Sequence, residues 1–309
     1  MSLTLYILPG LDHHKNRQGL ELMKPFLNVV FIDYSQISTI DTTNSLLVVN
    51  DINYDHTSHK IPTIYGPHIV FQTVSLGHGN NGKIINTLSQ WLTIGSGILN
   101  KNPRHDGNIC YTDSGVTYVS LPFPVDVNKF IPAKKDAHCV FYFKRRSPTL
   151  KHNILNWIKD KQLKCDFFEY GSYSEDTFLH SISTASYVIW FGCHESQGFA
   201  LQEILSCNTP IFVLDVDTLR DEKYPNDYSV WYEEPFVSAK ATSASSWSDA
   251  CGKICKSHDI EIINKEFTDF LTNLDKYTPR KFIIENLSPT PVANLWINTF
   301  HKLFPIQKN

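Results

Sequence analysis

The sequence lacks the features that mark several large classes of protein. No apolar run in its 309 residues approaches the length of a membrane-spanning helix. The N-terminal stretch MSLTLYILPG has neither the basic start nor the cleavage region of a secretory signal peptide. The formal net charge is only −3, which gives no electrostatic sign of a nucleic-acid-binding surface. We therefore expect a cytoplasmic protein that binds no nucleic acid, while contact with a membrane surface stays open.

Cysteine is present, but it lacks the paired spacing of a disulfide framework or a zinc site. The seven cysteines are scattered, and their odd number favours reduced thiols in a cytosolic setting. Cys251 and Cys255 are four residues apart, which predicts that they share a helix, but no second pair completes a zinc site. We expect these two cysteines to be packing residues.

Length and composition predict a globular protein of two α/β domains. A hydrophobic content of 42% and a charged content of 19% are ordinary for a folded chain. Short β-branched and aromatic runs such as TLYI, NVVFID and SLLVVNDI alternate with turn-rich segments. The proline-rich segment LPFPVDVNKFIPAKKD predicts the boundary between the domains. We expect domains over residues 1–130 and 131–285, followed by a C-terminal helix over 286–309.

The segment from Ser186 to Val216 predicts a strand, a loop, a helix and a second strand. SYVIWF and IFVLDV have the composition of buried strands, and FALQEILSC between them places apolar residues near helical spacing. Asn208 suits a left-handed C-terminal cap, and Pro210 stops the helix. In such a βαβ unit the loop GCHESQG lies at the carboxyl edge of a parallel sheet, which is where open α/β sheets bind ligands.

This loop carries groups that suit a sugar nucleotide. Glu195 lies in the loop, Gly198 lets a ligand approach the backbone, and Glu203 lies about one turn into the helix. Two carboxylates around a helix N-terminus fit a ligand with hydroxyls at both ends and phosphate between them. Either glutamate alone is more often an ordinary surface charge, so the prediction depends on the whole arrangement. The backbone amides that would attract the phosphate belong to Phe199, Ala200 and Leu201.

A second segment brings positive charge to the same predicted edge. CVFYF predicts a strand, and Pro148 suits the start of the helix that follows. The strand therefore delivers Lys144, Arg145 and Arg146 to its carboxyl end. Lys151 follows near the helix start. Such cations suit a diphosphate whose negative charge grows as a glycosidic bond breaks, although a basic run is usually a solvated surface.

HESQGFALQEILSCNTPIFV resembles the signature of family 4-like glycosyltransferases with the GT-B fold. In that signature, Glu–Gly–Phe–Gly and a second glutamate precede a small-residue helix end, a proline and a strand. This sequence departs from it at Ala200 and Asn208, which replace glycines. The resemblance implies an α/β fold of GT-B type, in which two Rossmann-like domains face each other across a cleft and the last helix crosses back to the first domain. The boundary segment matches the family's linker at Asp126, Phe130 and Pro132.

The resemblance also implies roles for individual residues. Glu195 would hold the hydroxyls of the transferred sugar, and Glu203 those of the ribose. Arg145 and Lys151 would stabilise the leaving diphosphate. Arg146 is an alternative to Arg145, because the alignment can slip by one residue.

Further positions outside these two segments are candidates. Tyr170 falls where the family places a loop near the nucleotide base, and His68 resembles a position that approaches the transferred sugar. A lone histidine is at least as often structural. Asp215 and Asp217 form an Asp-x-Asp pair of the kind that holds a divalent metal in the GT-A architecture. Because they end a strand that the GT-B interpretation already explains, we expect no metal and no other cofactor.

The leading hypothesis is a glycosyltransferase that moves a hexose-like sugar from a nucleotide diphosphate sugar to a glycan or other small-molecule acceptor. The resemblance implies retention at the anomeric carbon and an acceptor held mainly by the first domain. Two alternatives stay open. A sugar-nucleotide epimerase would consume the donor without an acceptor, and a catalytically inactive protein would bind a sugar nucleotide or glycan without turnover.

Overall fold

The structure is a computed structural model that describes residues 3–10, 14–51, 54, 55, 57, 59–67, 82–88, 104–113, 115–218 and 240–305. The chain divides into two units, and the first division falls between Pro124 and Val125, within the proline-rich segment. Unit 1 comprises Met1–Pro124 and Leu287–Asn309, and unit 2 comprises Val125–Asn286. Within the described residues, no helix is both long and apolar enough to cross a membrane. Of the apolar run LSQWLTIGSGIL, whose composition also suits a strand, only Leu88 lies within the described residues.

Unit 1 contains an eight-stranded sheet in its described part, in the order β2-β1-β3-β4-β5-β8-β7-β6. The first five strands and β8 pair in parallel. The edge is antiparallel, because β7 pairs with β8 and β6 with β7 in that sense. Helix α1, His14–Met23, follows β1. The strand bounds are Thr4–Ile7 (β1), Asn28–Phe31 (β2), Ser45–Val49 (β3), Thr63–Tyr65 (β4), Ile84–Asn86 (β5), Arg104–Asp106 (β6), Ile109–Tyr111 (β7) and Thr117–Val119 (β8).

Unit 2 contains a five-stranded sheet in its described part, in the order β10-β9-β11-β12-β13, and every pairing is parallel. The chain passes from β9 to β10 on one side and then to β11 on the other side of β9. The carboxyl ends of β9 and β11 therefore form the switch point at which open α/β sheets bind ligands. The strand bounds are Asp136–Phe143 (β9), Cys165–Glu169 (β10), Ala185–Phe191 (β11), Ile211–Leu214 (β12) and Gly252–Cys255 (β13).

The helices of unit 2 begin and end where local signals place them. Pro148 occupies the first turn of its helix, the Ser174 side chain accepts a hydrogen bond from the Thr177 amide, and Asn208 has a left-handed φ of 53°. The predicted helix and strands of the Ser186–Val216 segment are confirmed. The helix bounds are Pro148–Asp160 (α2), Glu175–Thr184 (α3), Phe199–Ser206 (α4), Ile260–Thr272 (α5) and Pro279–Asn286 (α6).

Alternating side chains of the central strands fill the two faces of the unit 2 sheet. On one face, Phe141 of β9 belongs to a buried cluster with Trp157 of α2 and Phe267 of α5. On the other face, Tyr142 stacks on Trp190 with ring centroids 4.2 Å apart. The apolar contacts on both faces fix the strands from which the loops at the carboxyl edge start.

The last helix, α7, Pro289–Leu303, belongs to unit 1. Trp296 is buried, and its indole N–H donates a hydrogen bond to the Pro122 carbonyl oxygen at 3.1 Å. Thr299 accepts a hydrogen bond of 2.9 Å from the Asn108 side chain. The C-terminal helix therefore contacts both the turn between β6 and β7 and the segment that follows β8.

Two expectations about cysteine are wrong. Cys251 ends a 3-10 helix and Cys255 ends β13, so they do not share a helix; the Gly252–Cys255 segment pairs with β12 instead. Cys139 and Cys165 lie directly opposite each other on β9 and β10 and form a disulfide. Pairing across the sheet is invisible in the spacing of the cysteines along the chain. The remaining cysteines are buried and form no disulfide, namely Cys110, Cys193, Cys207, Cys251 and Cys255.

Candidate functional site

An ion pair joins the two loops of the switch point in unit 2. Lys144 directly follows β9, and Glu195 lies in the loop between β11 and α4. The Lys144 ammonium donates a hydrogen bond of 2.7 Å to Glu195 Oε1, and the two side chains are only 14% and 12% exposed. Burial alone lowers the pKa of Lys144, but the Glu195 carboxylate and Cys193 outweigh burial and raise it above its ordinary value. The ammonium is therefore charged at neutral pH.

A basic pocket of about 570 Å³ lies at the carboxyl ends of β9 and β10 and the start of α2. Cavities of this size hold small-molecule ligands. The pocket is lined by basic side chains together with one carboxylate and two aromatic rings, and every lining residue that the structure describes lies in unit 2. The lining residues that matter here are Lys144, Arg145, Lys151, Glu169 and Tyr170.

The cations of the basic pocket surround its aromatic and acidic groups. The Lys144 ammonium lies 4.5 Å from the centre of the Tyr170 ring, and the Arg145 guanidinium lies 5.7 Å from the same ring. The Lys151 ammonium lies 2.9 Å from Glu169 Oε2 and 3.9 Å from the centre of the Phe143 ring. Cations near aromatic rings are attracted by the ring quadrupole, so the rings help to hold these side chains at the pocket.

Backbone conformation sends three consecutive basic side chains in different directions. Along an extended strand, Lys144 and Arg146 would point to the same face. Arg145 instead has a left-handed φ of 49°, which is uncommon for a residue other than glycine. Lys144 pairs with Glu195, Arg145 is exposed at the pocket, and Arg146 is turned into the protein with 2% exposure.

Arg146 connects the ends of the neighbouring strands. Its guanidinium donates hydrogen bonds to the carbonyl oxygens of Gly192 at 3.0 Å and of Leu214 at 2.9 Å. It also lies 4.5 Å from the centre of the Phe191 ring. These contacts direct the guanidinium towards carbonyls that follow β11 and end β12. Arg146 therefore supports the carboxyl edge, and Arg145 is the exposed one of the two arginines in the pocket lining.

The segment after residue 240 contacts the loop that carries Glu195 and hydrogen-bonds to its backbone. Gly198 has φ of 76°, and a Cβ built on it would lie 2.9 Å from Ser245 Oγ. The Ser245 hydroxyl donates a hydrogen bond to the Gln197 carbonyl oxygen. The Glu195 amide donates one of 3.1 Å to the Thr242 carbonyl oxygen. Glycine is therefore needed at position 198 for both its backbone conformation and its small size.

Asp215 is a buried residue that orders the same segment. Its carboxylate accepts hydrogen bonds from the Ser243 amide at 2.6 Å and from the Thr242 hydroxyl at 2.9 Å. Burial raises the pKa of Asp215, and these donors oppose the rise. Asp217 instead pairs with Lys240 at 2.8 Å. In the described part of the chain, no group of histidine, cysteine, aspartate and glutamate side chains is arranged to hold a metal ion.

Some of the predicted site residues lie at the basic pocket and others do not. Arg145, Lys151 and Tyr170 line the basic pocket, and Glu195 is joined to it through Lys144. Glu203 lies within α4 and is 6% exposed. The helix start places Leu201 in the interior, with Phe199 and Ala200 half-buried. His68 lies outside the described residues.

Two residues of the site were not among the predicted ones. Lys144 was recognised as part of a basic run, but its partner, Glu195, is 51 residues away in sequence. Glu169 ends β10 and faces Lys151. A usable signal existed for both: Lys144 directly follows the predicted strand CVFYF, and Glu169 ends CDFFE, whose composition also suits a strand.

Comparisons with known proteins identify the fold. No protein-family model matches the sequence, and no curated protein is significantly similar to it. The structure is similar to AviGT4, a glycosyltransferase involved in avilamycin A biosynthesis, with a TM-score of 0.52, 11% identity and coverage of 97% of this chain and 98% of that one. It is also similar to sucrose-phosphate synthase from Thermosynechococcus elongatus, with a TM-score of 0.52, 9% identity and coverage of 98% and 99%.

A third similar structure is the lipopolysaccharide outer core galactosyltransferase WaaB in its apo form. The TM-score is 0.54 at 8% identity, and the match covers 97% of this chain and 99% of that one. Matches over nearly the whole of both chains at such low identity concern the fold. The predicted α/β fold class of GT-B type is confirmed.

Proposed function

We propose that this protein is a glycosyltransferase that takes a sugar from a nucleotide diphosphate sugar and gives it to a glycan or other small-molecule acceptor. The observation that carries the proposal is the Lys144–Glu195 ion pair at the switch point, next to the basic pocket. A buried carboxylate beside a group of cations provides acceptors for sugar hydroxyls and counter-charges for phosphate within one unit.

In this proposal, catalysis comes from positioning and from electrostatic stabilisation of the leaving group. Arg145 and Lys151 meet the negative charge that develops on the diphosphate as the glycosidic bond breaks. Glu195 holds hydroxyls of the transferred sugar and is itself held by Lys144. The Glu203 carboxylate accepts hydrogen bonds from the ribose hydroxyls, and the Tyr170 ring lies near the nucleotide base.

The similar structures support the reaction class, because all three carry names of enzymes that transfer or join sugars. Membership of family 4, retention at the anomeric carbon, transfer of a hexose and independence from metal ions rest on the resemblance of the sequence. The nucleotide-sugar donor is the partner that this site fits, and the acceptor is proposed to be held mainly by unit 1.

A two-step experiment tests the proposal. Thermal shift of the full chain is first measured with UDP, GDP, ADP and their common sugar derivatives, and at least one nucleoside diphosphate should stabilise the protein. Donor turnover is then measured with and without a mixture of acceptors, and it should require an acceptor. Turnover to a new sugar nucleotide without an acceptor would indicate an epimerase, and binding without any turnover would indicate a binding protein. Absence of nucleotide binding would contradict the proposal.

A further inference from the structure

Both lysines of the basic pocket already hold a carboxylate. Lys144 pairs with Glu195 at 2.7 Å, and Lys151 pairs with Glu169 at 2.9 Å. The two carboxylates differ in their freedom, because the Glu195 side chain is 12% exposed and the Glu169 side chain is 54% exposed. An exposed ion pair contributes little stability, whereas a buried one is costly to separate. A ligand can therefore displace Glu169 far more easily than Glu195.

We propose that Glu169 competes with the phosphate groups of the ligand for Lys151, so that it weakens their binding and favours release of the diphosphate product. This inference rests on the proposed function, since it concerns the diphosphate of the same donor. Glu169 ends β10 and is part of the pocket lining, so an anion that binds Lys151 meets this carboxylate and competes with it for the ammonium.

The competition follows from the charges at Lys151. An anion that binds Lys151 exchanges one attraction for another and meets the displaced Glu169 carboxylate nearby. A diphosphate extends over enough atoms to contact Lys151 and the exposed Arg145 together, and this additional attraction offsets the loss of the Glu169 contact. As the diphosphate leaves, Glu169 returns to Lys151, which favours release of the product.

The test is binding of inorganic pyrophosphate and inorganic phosphate to the full chain and to Glu169→Gln, by isothermal titration at fixed ionic strength. Removing one like charge from a partly exposed site should tighten pyrophosphate binding by about three- to tenfold. Phosphate carries less negative charge, so its affinity should gain by a smaller factor. The same substitution in a Lys151→Met background should give a smaller gain, because it then removes only the repulsion between Glu169 and the anion and no competition for Lys151.

Glu266→Gln is the matched control. Glu266 pairs with Lys253 at 2.8 Å on another part of unit 2, so this variant makes the same change in net charge outside the pocket. It should leave both affinities unchanged. If Glu169→Gln binds pyrophosphate no better than the parent, or if neither binds it, the inference is overturned. The proposed function survives that result as long as nucleoside diphosphates still stabilise the unaltered chain.

Discussion

At the residue scale, the charge of the site is set by which carboxylate each cation meets. The Lys144–Glu195 pair is mostly buried, and separating such a pair by removing one partner costs about 3–5 kcal/mol. Lys144 therefore fixes the position of one Glu195 oxygen, and a sugar hydroxyl has to approach a carboxylate that cannot easily turn away. This arrangement makes the two glutamates of the sequence signature experimentally distinguishable.

Glu195→Ala should reduce turnover more than it weakens binding of the bare nucleoside diphosphate, because it removes contacts with the sugar and leaves Lys144 available to phosphate. Glu203→Ala should weaken binding of the nucleoside diphosphate itself, by about 1–3 kcal/mol if the ribose hydroxyls lose an acceptor. Isothermal titration of both variants measures this difference. If both bind the nucleoside diphosphate as the parent does, the assignment of the two glutamates is wrong.

Arg145→Ala should lower turnover on the order of 100-fold, since a charge-assisted contact that strengthens in the transition state is lost. Steady-state kinetics with a saturating donor measures the effect. Lys161→Ala is the control, because Lys161 is an exposed lysine at the end of α2, away from the helix start at the pocket.

The same argument predicts that EDTA changes turnover little, because the cations of the basic pocket meet the charge of the diphosphate. Turnover is measured before and after treatment with EDTA. Complete loss that manganese restores would contradict the roles of Arg145 and Lys151.

At the element scale, the start of α4 restricts which residue can stand at position 198. Gly198→Ala should lower the free energy of unfolding by about 1–3 kcal/mol, because the left-handed φ opposes a side chain and the new Cβ would meet Ser245 Oγ at 2.9 Å. Gly171→Ala is the matched control, with φ of 81° and nothing within 4 Å of the added Cβ. Urea denaturation of both variants separates crowding from backbone strain. Equal losses would show that Ser245 does not restrict position 198.

The elements that the sequence predicts are those whose signals are local. The βαβ unit from Ser186 to Val216 has its strands, helix, left-handed cap and stop within one segment, so no distant residue is needed to predict it. The three-residue strands β6 and β7 and the four-residue β13 depend on pairing with a neighbour and carry no such pattern. The helix predicted for Cys251 and Cys255 failed because pairing with β12 prevailed over spacing.

The candidate site shows the same limit. The sequence indicates which residues reach the sheet edge, because strand ends are local features. It does not indicate that Lys144 would pair with Glu195 or Lys151 with Glu169, since those contacts depend on the order of strands in the sheet. The inward turn of Arg146 depends on one unusual φ at Arg145, which no propensity predicts.

At the scale of the whole molecule, a substitution in the C-terminal helix allows the stability of unit 1 to be changed separately from that of unit 2. Trp296→Ala should destabilise unit 1 by about 3–5 kcal/mol, because a side chain that is 1% exposed is lost together with its hydrogen bond to Pro122. We expect each unit to unfold in its own calorimetric transition, and the substitution should lower the midpoint temperature of the unit 1 transition. A nucleoside diphosphate should raise the midpoint temperature of the unit 2 transition in parent and variant alike, since its proposed site lies in unit 2. If that stabilisation disappears in Trp296→Ala, nucleotide binding is not confined to unit 2.

The left-handed backbone at Arg145 makes the conformation of the turn independent of the charge that this position carries. Glycine adopts that conformation without strain, so a descendant of this chain with glycine at position 145 would keep the turn and lose only the exposed cation. At Arg146 no such exchange exists, because any smaller residue leaves the carbonyls of Gly192 and Leu214 without their donor. Loss of Arg145 should therefore lower turnover and leave the fold intact, whereas loss of Arg146 should weaken the fold of this edge itself.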